Sequence, residues 1–134
     1  MSLARYLPVT ARILMGIPFV VFGLNAFLNF IPQPTTPLPV RAAAFVTALM
    51  NTGYMMRLIG GTQLVVGVLL LANRYVPLAL ALIAPFLVNS IAFHAFLEPS
   101  GFPIAAVFSG LEIYLAWAYR KSFSAMLAAR TTLG

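Results

Sequence analysis

Cysteine is absent from the 134-residue chain, which excludes disulfides, thiol redox chemistry, Cys-ligated zinc and iron–sulfur clusters. Acidic residues are nearly absent as well: two Asp or Glu face eight Lys or Arg, for a net charge of +6. Charged residues of both signs make up 7% of the chain, where soluble domains carry about 25%. A water-soluble globule of this size would lack the polar side chains to cover its surface, so a soluble enzyme is excluded. Disordered chains are poor in apolar residues, and this one is 62% hydrophobic with a mean hydropathy of +0.99. What remains is an all-α integral membrane protein forming a single domain, residues 1–134.

In a soluble domain the positive balance would point to nucleic acid. No basic stripe with interleaved aromatics occurs here, so no nucleic-acid partner is expected. The cations instead sit in gaps between apolar runs, where they set orientation in a lipid bilayer.

A spanning helix needs about 20 mainly apolar residues, and four stretches approach that length, at about 13–31, 54–72, 76–97 and 103–119. Pro103 suits the first turn of the last, where its missing N–H is harmless. Pro18 and Pro85 fall inside spans, where neighbouring helices support the kinks they cause. Gly16, Gly23, Gly60, Gly61 and Gly67 read as packing residues that let helices approach. The first connection holds Pro32, Pro34, Pro37 and Pro39, which favour an extended polyproline path. After it, Val40, Ala44, Phe45, Ala48 and Leu49 form an i, i+4 stripe. This predicts a short interfacial helix at about 40–51, in the first outer loop. The connection around residues 73–77 is tight, so the second and third spans should be antiparallel neighbours. The expected architecture is an antiparallel four-helix transmembrane bundle plus that interfacial helix. Arg5, Arg12, Arg74, Arg120, Lys121 and Arg130 fall on one face of the four spans, and Arg41 and Arg57 on the other. Both termini are therefore expected in the cytoplasm. Trp117, Tyr119, Arg120 and Lys121 read as an interfacial anchor.

Polar residues inside spans are costly in hydrocarbon and carry the functional information. At 1.5 Å per residue, Asn25 and Gln63 lie about 9 Å below the outer ends of their spans. His94 lies about 6 Å below Glu98, and Ser109 and Glu112 about 10 and 15 Å below Phe102. Residues four apart share a helix face, which groups Asn25 with Asn29, and Ser90 with His94 and Glu98. Ser109 and Glu112 group at spacing three. Lipid cannot satisfy these groups, so the stripes are expected to turn inward and bring Asn25, Gln63, His94 and Glu112 into one outer-leaflet pocket. An acid near mid-membrane must be neutral, paired or solvated, and His94 is the one basic residue in the spans placed to pair with Glu112. His94 with Glu98 offers two ligands at i, i+4, short of the three or four a metal needs, so no metal site is expected.

Four segments carry a family resemblance: VFGLNAFLNF at 21–30, RLIGGTQLVVGVLLLANRYVPLAL at 57–80, PFLVNSIAFHAFLEPSG at 85–101 and LEIYLAWAYRKSF at 111–123. Together, and in this order, they resemble the DoxX family over nearly the whole chain. The more specific parts are Asn-x4-His-x3-Glu-Pro and Glu-x3-Ala-Trp-x-Tyr-Arg. The resemblance implies a small four-helix protein of the bacterial cytoplasmic (inner) membrane, from a family named for a subunit of a thiosulfate–quinone oxidoreductase. Many members carry Lys where this chain has Ala26, so an ion pair from that position to the acid of the last span is not available here. Matching the motif leaves Asn25, Gln63, Asn89, His94 and Glu112 to carry over.

Two function classes follow, with a structural alternative. In the first, the chain is a subunit of a quinone-linked membrane oxidoreductase. There His94 and Glu112 are the candidate catalytic pair that exchanges protons with a quinol, and Asn25, Gln63, Asn89 and Ser109 bind the ligand. Partner subunits carry the electrons. In the second, the same pocket makes a non-enzymatic binder or carrier of a small amphipathic molecule. A structural or assembly protein is the third reading. Gly-rich faces also permit a homo-oligomer.

Overall fold

The computed structural model describes residues 3–134. Its longer elements are α1 (Leu7–Leu28), α2 (Val40–Asn51), α3 (Met55–Ala72), α4 (Val76–Phe96) and α5 (Phe102–Ala118), with a final turn, α6 (Arg120–Phe123). No strand occurs among the described residues. The helical stretches Leu3–Leu28, Met55–Ala72, Val76–Phe96 and Pro99–Ala118 are long and apolar enough to cross a membrane, with mean hydropathies of 1.8, 1.8, 2.1 and 1.4. Four such helices are the pattern of a multi-pass membrane protein.

The first helix starts at Leu7, ahead of the apolar run that begins at Ile13, and takes Pro8 into its opening turn. It can do so because Arg12 has somewhere to put its charge. The side chain is only 8% exposed, and Nη1 donates to the Leu70 carbonyl at 2.9 Å. That carbonyl lies in the last turn of α3, where the helix dipole favours a cation. Asn73 then closes α3 in the left-handed region (φ 54°) and Tyr75 enters α4 at φ 52°, so the turn between them is short and sharp.

The tightest helix pair is α1 with α3. A Cβ built on Gly23 would fall 2.6 Å from the Leu64 nitrogen, and one on Gly60 would fall 2.2 Å from the Ala26 Cβ. Further along, a Cβ on Gly67 would meet Val20 N at 2.7 Å and Gly16 O at 2.8 Å. The order of these approaches is reversed between the two helices. Backbone therefore lies on backbone, the packing that small residues allow where no water is present to drive association.

Around this seam Met15, Val66, Leu70, Leu80, Ile83 and Leu115 are fully buried. Phe19 meets Phe108 at 5.4 Å and Phe86 edge-on at 6.2 Å between ring centroids. Helices α1 and α4 continue through Pro18 and Pro85. Helix α2 follows the proline-rich segment and buries Ala42, and its Phe45 lies 5.6 Å from Phe93 of α4. At the far end, the Arg120 guanidinium sits 4.5 Å over the Trp117 ring.

Candidate functional site

At the end of the bundle away from the Arg12 contact, the close-packed α1–α3 pair, α4 and α2 surround a space. The resulting cavity of about 330 Å³ is lined by Phe22, Asn25, Ala26, Phe45, Gln63, Phe86, Asn89, Ser90, Phe93 and His94, with aliphatic residues between. A smaller lobe of about 130 Å³ continues toward Phe19 and Phe108 and shares Gln63, Ser90 and His94. The α4 contribution, at 86, 89, 90, 93 and 94, is a helical i, i+3, i+4 stripe that mixes aromatic and polar groups on one face.

Each polar side chain is held differently. Asn25 Oδ1 accepts from the backbone N–H of Ile31 at 2.8 Å, which pins the chain as it leaves α1. Gln63 is 9% exposed and faces both lobes. Among the described residues, no protein hydrogen bond engages its amide. His94 Nδ1 lies 2.9 Å from the Glu98 carbonyl oxygen and 3.0 Å from Glu98 Oε2. The ring also stands edge-on to Phe93, at 5.1 Å between centroids.

The Glu98 carboxylate has other duties as well. It accepts from the Gly101 N–H at 3.2 Å and from the Ser100 hydroxyl, capping the 3-10 turn Pro99–Gly101 that leads into α5. A side chain at position 101 would collide with the imidazole: its Cβ would stand 2.3 Å from His94 Cε1 and 2.5 Å from Nδ1. The Glu-Pro-Ser-Gly segment is thus shaped around the histidine ring.

The fourth polar stripe does not join this cavity. Ser109 and Glu112 line a separate groove of about 280 Å³ with Ala84, Leu87, Val88, Ile91 and Ile113, and Leu87 is the one residue it shares with the smaller lobe. Ser109 Oγ and Glu112 Oε2 are buried there without a hydrogen-bond partner among the described residues. The expected pairing of His94 with Glu112 is therefore replaced by His94 with Glu98. The cause is rotational. Phe108 packs on Phe19 and Leu115 joins the core, which fixes the inward face of α5, and Ser109 and Glu112 then project toward the flank of α4. Two groove residues, Val88 and Ile113, are 71% and 70% exposed, so the groove opens on the outside of the bundle.

Asn25, Gln63, Asn89 and His94 are brought together, whereas Ser109 and Glu112 stand apart from them. Sequence reasoning missed three further contributors: α2 as a cavity wall through Phe45, Glu98 as the partner of His94, and Gly101. The i, i+4 spacing of His94 and Glu98 was the available signal for the second of these. Comparison of the chain with protein-family models, with curated proteins and with solved structures gives no match.

Proposed function

We propose that the chain is a DoxX-like protein of the bacterial inner membrane, an antiparallel four-span bundle with both termini cytoplasmic. Its cavity takes a small amphipathic molecule of the quinone class, and the protein serves as one subunit of a membrane oxidoreductase. The observation that carries this reading is His94: tied at Nδ1 and, among the described residues, without a partner at Nε2, it borders a cavity walled by Phe22, Phe86 and Phe93. About 330 Å³ is at the lower end of the range for small-molecule sites, and a few placed polar groups among aromatic walls are what such sites use for orientation. The rings suit the faces of a planar head group, and Asn25, Gln63, Asn89 and Ser90 suit its oxygens.

A quinol gives up two protons and two electrons when it is oxidised. In this chain His94 handles a proton, because imidazole is the side chain best matched to proton exchange near neutrality and Nε2 is the ring atom left free. The second proton and both electrons leave through a partner subunit, since the cavity holds one proton-exchanging group and one His with no Cys gives the chain no ligand set for an electron carrier.

A carrier without chemistry is the second reading. The separation of Glu112 from His94 favours it, because the cavity is left with one proton-exchanging group. Mass spectrometry of lipophilic molecules co-extracted with the purified protein tests both. A quinone lost in His94→Ala supports the oxidoreductase subunit, and a different amphipath supports the carrier. An empty, fully delipidated protein that still folds refutes both.

A further inference from the structure

The cavity's polar groups differ in how freely they choose the polarity of their hydrogen bonds. The amides of Asn25, Gln63 and Asn89 carry both donors and acceptors, and the Ser90 hydroxyl rotates to suit. His94 has no such choice. The Glu98 carbonyl oxygen, 2.9 Å from Nδ1, can only accept, and the carboxylate Oε2 at 3.0 Å accepts as well. A neutral ring therefore carries its hydrogen on Nδ1, which leaves the bare lone pair at Nε2 of an imidazole that borders both lobes of the cavity. Capping of Pro99–Gly101 by the same carboxylate, and the missing side chain at Gly101, hold both oxygens against the ring.

We propose that Glu98 and Gly101 lock His94 as a one-way acceptor, so that the cavity selects a ligand presenting an aromatic hydroxyl, the reduced quinol or a related phenol, over the carbonyl of the oxidised quinone. This rests on the reading of the cavity as a binding site. Glu98 and Gly101 are positioning residues, acting through the imidazole.

His94 is the single histidine of the chain, so ¹⁵N-histidine labelling in lipid nanodiscs reports this ring alone. The expected spectrum has one proton-bearing nitrogen, assigned to Nδ1, and one bare nitrogen. A decyl-tailed hydroquinone, titrated without oxygen, should shift the bare nitrogen and bind about tenfold more tightly than the matching quinone. That preference corresponds to one hydrogen bond retained rather than an acceptor left unpaired. Gly101→Ala should displace the ring, mix the two tautomers and abolish the preference. Glu98→Leu should do the same, which covers the case of Gly101→Ala failing to fold, and Glu98→Gln should restore the preference by keeping an acceptor oxygen in place. A proton on Nε2 in the wild type, or equal binding of the two forms, overturns the selection while leaving the cavity a binding site. Binding of neither form removes the underlying reading itself.

Discussion

Exchanging one methyl group across the α1–α3 seam should destabilise the bundle and then restore it. An alanine at position 60 would place its Cβ 2.2 Å from the Ala26 Cβ, where carbon atoms ordinarily sit about 3.5–4.0 Å apart. Neither atom is the tip of a flexible side chain, so the helices themselves must part. A gap of about 0.5–1 Å already forfeits a quarter to a half of each contact's attraction, and the seam runs the length of both helices. Gly60→Ala should therefore cost about 1–3 kcal/mol, the range for overpacking a close-fitting interface. Adding Ala26→Gly removes the obstructing methyl. The nearest remaining atoms to the new Cβ are then Gly23 O at 3.3 Å and Ala26 Cα at 3.6 Å, close to ordinary contact. The double variant should lie within about 1 kcal/mol of wild type, giving a favourable coupling of at least ~1 kcal/mol. Gly61→Ala and Gly110→Ala are the controls, since their Cβ atoms would meet nothing closer than 3.8 Å and nothing within 4 Å. Unfolding in mixed micelles, titrated with a denaturing detergent and followed by helical circular dichroism, measures all six proteins, the Ala26→Gly single variant included to close the cycle. The reasoning fails if Gly60→Ala is as stable as Gly110→Ala, or if Ala26→Gly does not rescue it.

Arg12→Ala should lower stability by about 1.5–3 kcal/mol in the same assay, the value of a hydrogen bond from a charged group, because it leaves the Leu70 carbonyl at the end of α3 with only the longer 3.4 Å bond from the Asn73 N–H; wild-type stability would contradict the buried cap. Phe45→Ala removes an aromatic pair worth about 0.5–1.5 kcal/mol and should speed ligand exchange more than it weakens the fold, measured by competition of a bound quinol against an excess of unlabelled ligand. Glu112→Gln should leave ligand affinity within about twofold, because its groove meets the smaller lobe only at Leu87; a tenfold loss would place Glu112 in the binding path. Reporter fusions should find both termini in the cytoplasm, and an external signal from either would reverse the proposed orientation.

Apolar run lengths and proline positions made the helical architecture legible, because helix formation in hydrocarbon depends on local composition. The α4 stripe through Asn89, Ser90 and His94 was legible for a similar reason: 3.6-residue periodicity says which side chains share a face. It does not say where that face points once the helix is packed. For α5 that direction was set by Phe108 against Phe19 and by the burial of Leu115, distant contacts that no local spacing encodes, and the rotation they impose carries Ser109 and Glu112 out of the cavity. Arg12 was hidden for a different reason. Counted as a charge outside the span, it looked like an orientation signal, whereas its partner is a backbone carbonyl, and backbone carbonyls have no sequence signature.

A second groove, of about 370 Å³, runs between α3 and α4 beneath α2. It shares Phe45, Leu49, Ile59, Phe86 and Asn89 with the main cavity and reaches Leu58 and Leu82 on the outside of the helices. In the proposed bilayer placement this gives a sideways entrance from the acyl chains. The concentration that governs occupancy is then the ligand's mole fraction in the membrane and not its level in water. A hydrophobic compound almost undetectable in the aqueous phase can saturate a site of modest intrinsic strength, because partitioning has already concentrated it beside the opening. Affinities measured in detergent should accordingly drift with micelle concentration, and under the proposed function loading follows the size and composition of the lipid pool.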